Sequence, residues 1–96
     1  MTSGVANVWT NFYRSSLIDP PTGWLFNQKS GLLIFFETYK KSVPNNLRVY
    51  THLFYSNKLG EPANLKNSRL HSFKCACETW DELILGGWQV VSNKFQ

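Results

Sequence analysis

Several functional classes are disfavoured by what this chain has little of. Two cysteines, two histidines, one methionine and four prolines are spread over 96 residues. Cys75 and Cys77 stand one residue apart in a helical pattern, so their side chains leave on opposite sides and geometry disfavours a mutual disulfide. A reducing compartment fits that usage. The longest unbroken apolar run, Leu32 to Phe36, falls far short of a membrane span or a signal-peptide core, and no basic stretch leads into an apolar one at the N-terminus. The expected location is therefore the cytoplasm, with no membrane span. No glycine-rich loop opens a helix, because Gly86-Gly87 follows one. Length sets a further limit: a chain of this size buries about 60 to 65% of the surface its unfolded form exposes, which leaves little volume for a deep cleft beside a core.

Acidic residues are also scarce, six against ten Lys and Arg, for a net charge of +4. Residues 1–73 hold eight basic and three acidic groups, and the remainder holds two and three. Such a field favours an anionic partner, either a nucleic acid or an acidic protein surface, and serves equally as a solvated shell. Aromatic side chains, in contrast, are plentiful: four Trp, four Tyr and seven Phe. They can supply most of a small core, and any excess marks a surface for binding.

Periodicity places the elements. Val5, Val8, Trp9, Phe12, Tyr13 and Leu17 recur at helical spacing between Ser3 and Asp19-Pro20-Pro21, so residues 1–22 form an N-terminal extension, either a helix or an extended arm. From Gly23, Trp24-Leu25-Phe26 and Leu32 to Tyr39 are strands joined by a hairpin loop, Asn27 to Gly31. The second is apolar on both faces, Leu32, Ile34 and Phe36 against Leu33 and Phe35, as in a central strand covered on two sides. Leu47 to Tyr55 alternates as a third strand, and Leu65 to Leu70 suits a polar edge strand with Lys66 and Arg69 discouraging unwanted pairing. Phe73, Ala76, Cys77, Trp80, Leu83 and Ile84 make the apolar stripe of a helix over 73–85, capped by Ser72 and ended by Gly86-Gly87. Trp88 to Val91 reads as a short closing strand or as a tail packing Trp88 against the sheet, and residues 92–96 as a tail. The expected fold is α+β: an antiparallel β-meander of three to five strands packed against one C-terminal α-helix over residues 23–91, with the N-terminal helix as an addition. Trp80, Leu83, Ile84, Phe35, Leu33 and Val49 are the expected core.

Candidate chemistry is sparse. His52, His71, Cys75 and Cys77 are potential metal ligands, but His71 and Cys75 share a helix face only if the helix begins before its cap, and Cys77 points elsewhere. No metal site or cofactor is expected. Glu78, Asp81 and Glu82 share the polar face of the helix, where both members of any carboxylate pair stay ionised in solvent. With only two histidines no catalytic set can be assembled, and the chain is expected not to be an enzyme. The most suggestive constellation is Arg48, Tyr50, His52 and Phe54 on one strand face, with Lys40, Lys41 and Lys58 near its ends. Exposed rings stack on unpaired bases while neighbouring cations hold phosphates. The same alternation serves a strand packed on two sides, and with two helices available to cover the sheet that is the stronger reading.

Gly23-Trp24-Leu25, Leu32-Leu33 with Phe35, Gly60-Glu61-Pro62 with Leu65-Lys66 and Arg69, and above all Ala76, Trp80, Leu83, Gly87 and Trp88 resemble a family of small proteins of marine picocyanobacteria, Prochlorococcus and Synechococcus, defined only as a domain of unknown function. The resemblance covers about Gly23 to Val91. It departs at Asn64, where a further apolar residue is expected, and in a poverty of Arg across Leu70 to Phe73. It implies a picocyanobacterial cytosol, or a cyanophage encoding such a protein, and brings no activity, cofactor or site residue with it. Two functions are carried forward. The first is a non-enzymatic binding or adaptor protein acting on a protein partner, with Val5, Trp9, Phe12 and Tyr13 as a docking stripe. The second is a nucleic-acid-binding module using Arg48, Tyr50, His52, Phe54, Lys40, Lys41 and Lys58.

Overall fold

The first hairpin shows how local chemistry sets the frame. In the computed structural model, which describes residues 20–91, β1 (Gly23–Asn27) and β2 (Leu32–Thr38) pair antiparallel with Leu25 opposite Ile34. Asn27 closes the turn twice: its backbone carbonyl accepts from Gly31 N–H at 2.8 Å and its side-chain oxygen from Ser30 N–H at 2.9 Å. Gly31 reverses the chain at a φ of 71°, a left-handed conformation that side chains resist. β3 (Arg48–Ser56) adds beside β2, and β4 (Pro62–Ser72) beside β3. The β3–β4 turn is held by Asn57, whose side-chain oxygen accepts from Leu59 N–H at 2.9 Å and Glu61 N–H at 3.0 Å.

Strand order is β4-β3-β2-β1-β5, all neighbours antiparallel, which makes β2 the central strand. The chain leaves β4 at one edge and must reach β5 (Gln89–Val91) at the other. Four interstrand steps span about 19 Å. The 13-residue helix α1 (Phe73–Leu85) is about 20 Å long and crosses that width on one face. Ser72 caps it, its hydroxyl accepting from Cys75 N–H at 3.1 Å. At the other end Gly87, with a φ of 97°, turns the chain back so that Trp88 N–H reaches the Leu83 carbonyl at 3.0 Å.

The core lies between α1 and the sheet. Leu25, Ile34, Phe36 and Val49 meet Ala76, with Leu53, Trp80, Leu83 and Trp88 packed around them. Phe36 is fully buried and meets the Trp80 ring edge-on at 5.0 Å. Two of the expected core positions differ. Ile84 is 39% exposed, because Ala76, Trp80 and Leu83 already take the sheet-facing row and the next residue rotates away by about 100°. Phe35 is only half-buried, on the opposite face of the sheet, where Leu33 beside it is fully buried as expected. The N-terminal helix and its stripe lie outside the described residues. Among those described, no helix is long and apolar enough to cross a membrane, which says nothing of strands.

Candidate functional site

Alternation along β3 divides its side chains. Val49, Thr51 and Leu53 turn toward α1, and Arg48, Tyr50, His52 and Phe54 toward the other face, as their spacing predicts. That face carries a chain of ring contacts. Trp24 packs on Phe35 at 4.7 Å and Phe54 at 5.6 Å, Phe35 stacks on His52 at 6.3 Å, and His52 meets Tyr50 at 4.7 Å. Tyr50 in turn meets Tyr39 edge-on at 5.8 Å. The rings therefore spend much of their area on one another. Lys40 and Lys41 are exposed beside them and line, with Glu37, Thr38, Tyr39 and Tyr50, a shallow cavity of about 320 Å³. Lys58 is exposed at the far end, in the β3–β4 turn. Val5, Trp9, Phe12 and Tyr13 lie outside the described residues.

Two polar networks, neither legible as such in the sequence, cross the sheet. On the face away from α1, His52 Nε2 lies 2.7 Å from Glu37 Oε2 and His52 Nδ1 lies 2.8 Å from Ser68 Oγ. A carboxylate only accepts, so the Nε2 hydrogen points to Glu37; the neutral ring then accepts the Ser68 hydroxyl hydrogen at Nδ1. β2, β3 and β4 each supply one member. Under α1, Thr51 Oγ1 lies 3.0 Å from His71 Nε2, and His71 Nδ1 lies 3.4 Å from Cys75 Sγ. Burial, and then the positive charge of Arg69, hold the His71 pKa below the ordinary histidine value.

The helix begins at Phe73 behind its Ser72 cap, so His71 and Cys75 do not share a helix face, yet they are in contact. His71 belongs to β4 and reaches Cys75 across the strand–helix junction. Cys75 is exposed and Cys77 half-buried. Among the described residues no three His, Cys, Asp or Glu side chains converge as a metal site would require. Glu37 and Ser68 are the residues that reading the sequence missed. Counting straight back from Ser56 opposite Pro62 puts Lys66 opposite His52. Irregularities in the ladder between Leu53 and Ser56 absorb two extra residues of β4 and put Ser68 there instead.

The outer edge of β4 is the other prominent surface. β4 is the longest strand, eleven residues, with nothing paired to its far side among the described residues. Nine of the eleven are exposed. Leu65, 54% exposed, and Leu70, 37% exposed, share the face of Phe54 and Tyr50, while Lys66 and Arg69 provide charge; no carboxylate lies between Pro62 and Ser72.

No curated protein and no solved structure matches the chain. A family model does: residues 22–95 match the family described as "Protein of unknown function (DUF1651)", nearly the whole described α+β unit, and the chain belongs to that family.

Proposed function

We propose that the chain is a small binding or adaptor module that takes an extended, acidic segment of a protein partner along the outer edge of β4. The observation that carries the reading is that edge: an eleven-residue strand, open on one side among the described residues, exposed along nearly its whole length and free of carboxylates. An edge strand presents a row of unpaired N–H and C=O groups, and adding a strand satisfies them. Leu65 and Leu70 offer apolar contacts to alternate side chains of the added strand, and Lys66 and Arg69 select for negative charge while opposing pairing with a second copy. The resemblance in the sequence adds a picocyanobacterial cytosol as the setting.

The packing of the rings favours this reading over nucleic acid. Tyr50 and Phe54 press on His52, Tyr39 and Trp24, and Glu37 places a carboxylate among them, where a phosphate chain would be repelled. Fluorescence anisotropy with a labelled peptide of alternating Glu and Val, and in parallel a single-stranded oligonucleotide, tests the choice on the full chain. The peptide is expected to bind, to slow amide exchange along Pro62–Ser72, and to weaken at least about tenfold in the double variant K66E/R69E. Salt-sensitive binding of the oligonucleotide alone transfers the function to nucleic acid, and binding of neither removes the β4 edge as the site.

A further inference from the structure

We infer that Ser68 is a nucleophilic serine, activated by His52 as general base with Glu37 as its positioning residue, and that it accepts an acyl group from small aliphatic esters. This goes beyond the docking reading and does not depend on it. Nucleophilic catalysis by a hydroxyl requires a base within hydrogen-bond reach and a third group that fixes the tautomer and orientation of that base. Both spans meet that requirement, 2.8 Å from Ser68 Oγ to His52 Nδ1 and 2.7 Å from His52 Nε2 to Glu37 Oε2. The ring nitrogens are used in the opposite sense to the familiar serine-protease arrangement, but the roles depend on which nitrogen carries the hydrogen, and Glu37 determines that.

The placement supports access as well as alignment. Ser68 is exposed, whereas the side chain of its base is only 20% exposed and is held between the Phe35 and Tyr50 rings. Every second N–H of an edge strand points away from its neighbour, so β4, which has no outer partner strand among the described residues, turns backbone donors outward beside Ser68, the kind of group that stabilises a developing oxyanion. Leu65, Leu70 and Phe54 lie on the same face and provide the apolar contact for an aliphatic acyl chain.

In the proposed step Ser68 Oγ attacks the ester carbonyl carbon while its hydrogen passes to His52 Nδ1. The bond to the leaving alcohol then breaks, and His52 returns the proton to that oxygen. The product is an acyl-serine and a free alcohol, with no oxidant or further reactant. Among the described residues, the charged and titratable groups on or beside the face of His52 are Glu37 from β2 with Tyr39, Lys40 and Lys41 just beyond that strand, and Arg48 and Tyr50 from β3 itself; β4 contributes the hydroxyl of Ser68 and α1 lies on the other side.

The test uses the full chain with an alkyl fluorophosphonate, which forms an oxygen–phosphorus bond as fluoride leaves, followed by intact mass and peptide mapping; p-nitrophenyl butyrate supplies a second readout. A single adduct on Ser68 is expected, absent in Ser68→Ala and formed at least about a hundredfold more slowly in His52→Gln. Glu37→Gln, which keeps the shape and loses the carboxylate that fixes the tautomer, is expected to slow labelling at least about tenfold and Glu37→Asp to restore most of the rate; a purely structural role leaves the three rates alike. Should His52→Gln fail to fold, the wild-type rate against pH decides: an inflection in the imidazole range supports the base, and a rate that only follows hydroxide overturns it. Labelling of Ser68 no faster than of Ser56 and Ser72, or undiminished in a folded His52→Gln, also overturns it.

Discussion

The two faces of the sheet draw on the same alternating strands and hold one histidine each, yet they use them differently. Under α1, Leu25, Ile34, Phe36 and Val49 close around Ala76, and His71 is tied to Thr51, a hydroxyl only 4% exposed. On the other face His52 is tied to a carboxylate and an exposed hydroxyl, among rings that are mostly half-buried. Residue type does not separate the two, since each face pairs an imidazole with a hydroxyl across β3 and β4. The layer above decides. A helix removes solvent, so the polar pair beneath it satisfies a buried group, while the network on the other face keeps an exposed hydroxyl that a second molecule can reach.

Substitution on the two faces measures that contrast, and the largest effect is expected at Phe36. Fully buried against Trp80, Phe36→Ala removes a ring from a closed core and should cost about 3 to 5 kcal/mol in urea unfolding, a large share of what a domain of this size possesses. Phe54→Ala opens no closed cavity, because the ring is half-buried against Trp24 and its neighbours can settle; roughly half that loss is expected. Equal losses would mean that the two faces are equally closed, and the contrast would fall.

How much of this could be read from the sequence depended on whether the information was local. The helix over 73–85, its Ser72 cap, the Asn27–Gly31 turn and the polarity of β4 all follow from residues within a few positions of one another. So does the division of β3 into two faces, because alternation needs no partner strand. What could not be read was pairing across β4. The ladder irregularities between Leu53 and Ser56 have no sequence mark, yet they decide whether Lys66 or Ser68 faces His52. The contact of Glu37 with His52 likewise needs the β2–β3 register, which the loop between Thr38 and Arg48 does not announce. The place of Ile84 was missed because a stripe on a helical wheel says which side is apolar, not where the sheet stops.

A middle-sized effect sharpens the same comparison at the seam between the layers. Ser72 ends β4 and starts α1, and its hydroxyl holds the Cys75 N–H. Ser72→Ala should cost about 1 kcal/mol, and Ser72→Asp, which keeps an acceptor there, should restore most of it. Because the cap serves only the helix layer, hydrogen exchange is expected to quicken in the first turn of α1 and to stay unchanged at the β1–β2 hairpin. Loss spread evenly over both layers would show that they do not fray separately.

The smallest effect separates the two histidines by pH. Burial, with Arg69 adding repulsion, favours the neutral form of His71, so its folded pKa lies below the ordinary value of about 6.5 expected when unfolded. Between those two values the unfolded chain binds the extra proton and the folded chain does not. The stability linked to His71 is therefore fully present above about pH 6.5 and declines as pH falls through the unfolded value toward the folded one. His71→Gln keeps a polar partner for Thr51 but cannot titrate, so the stability difference between wild type and variant should shrink as a urea series is carried from pH 7 to pH 5. Subtracting the variant at each pH removes what the two proteins have in common. A difference that stays constant, or grows on acidification, would place His71 in a setting that tolerates its charge, and α1 would then not be excluding water from that face.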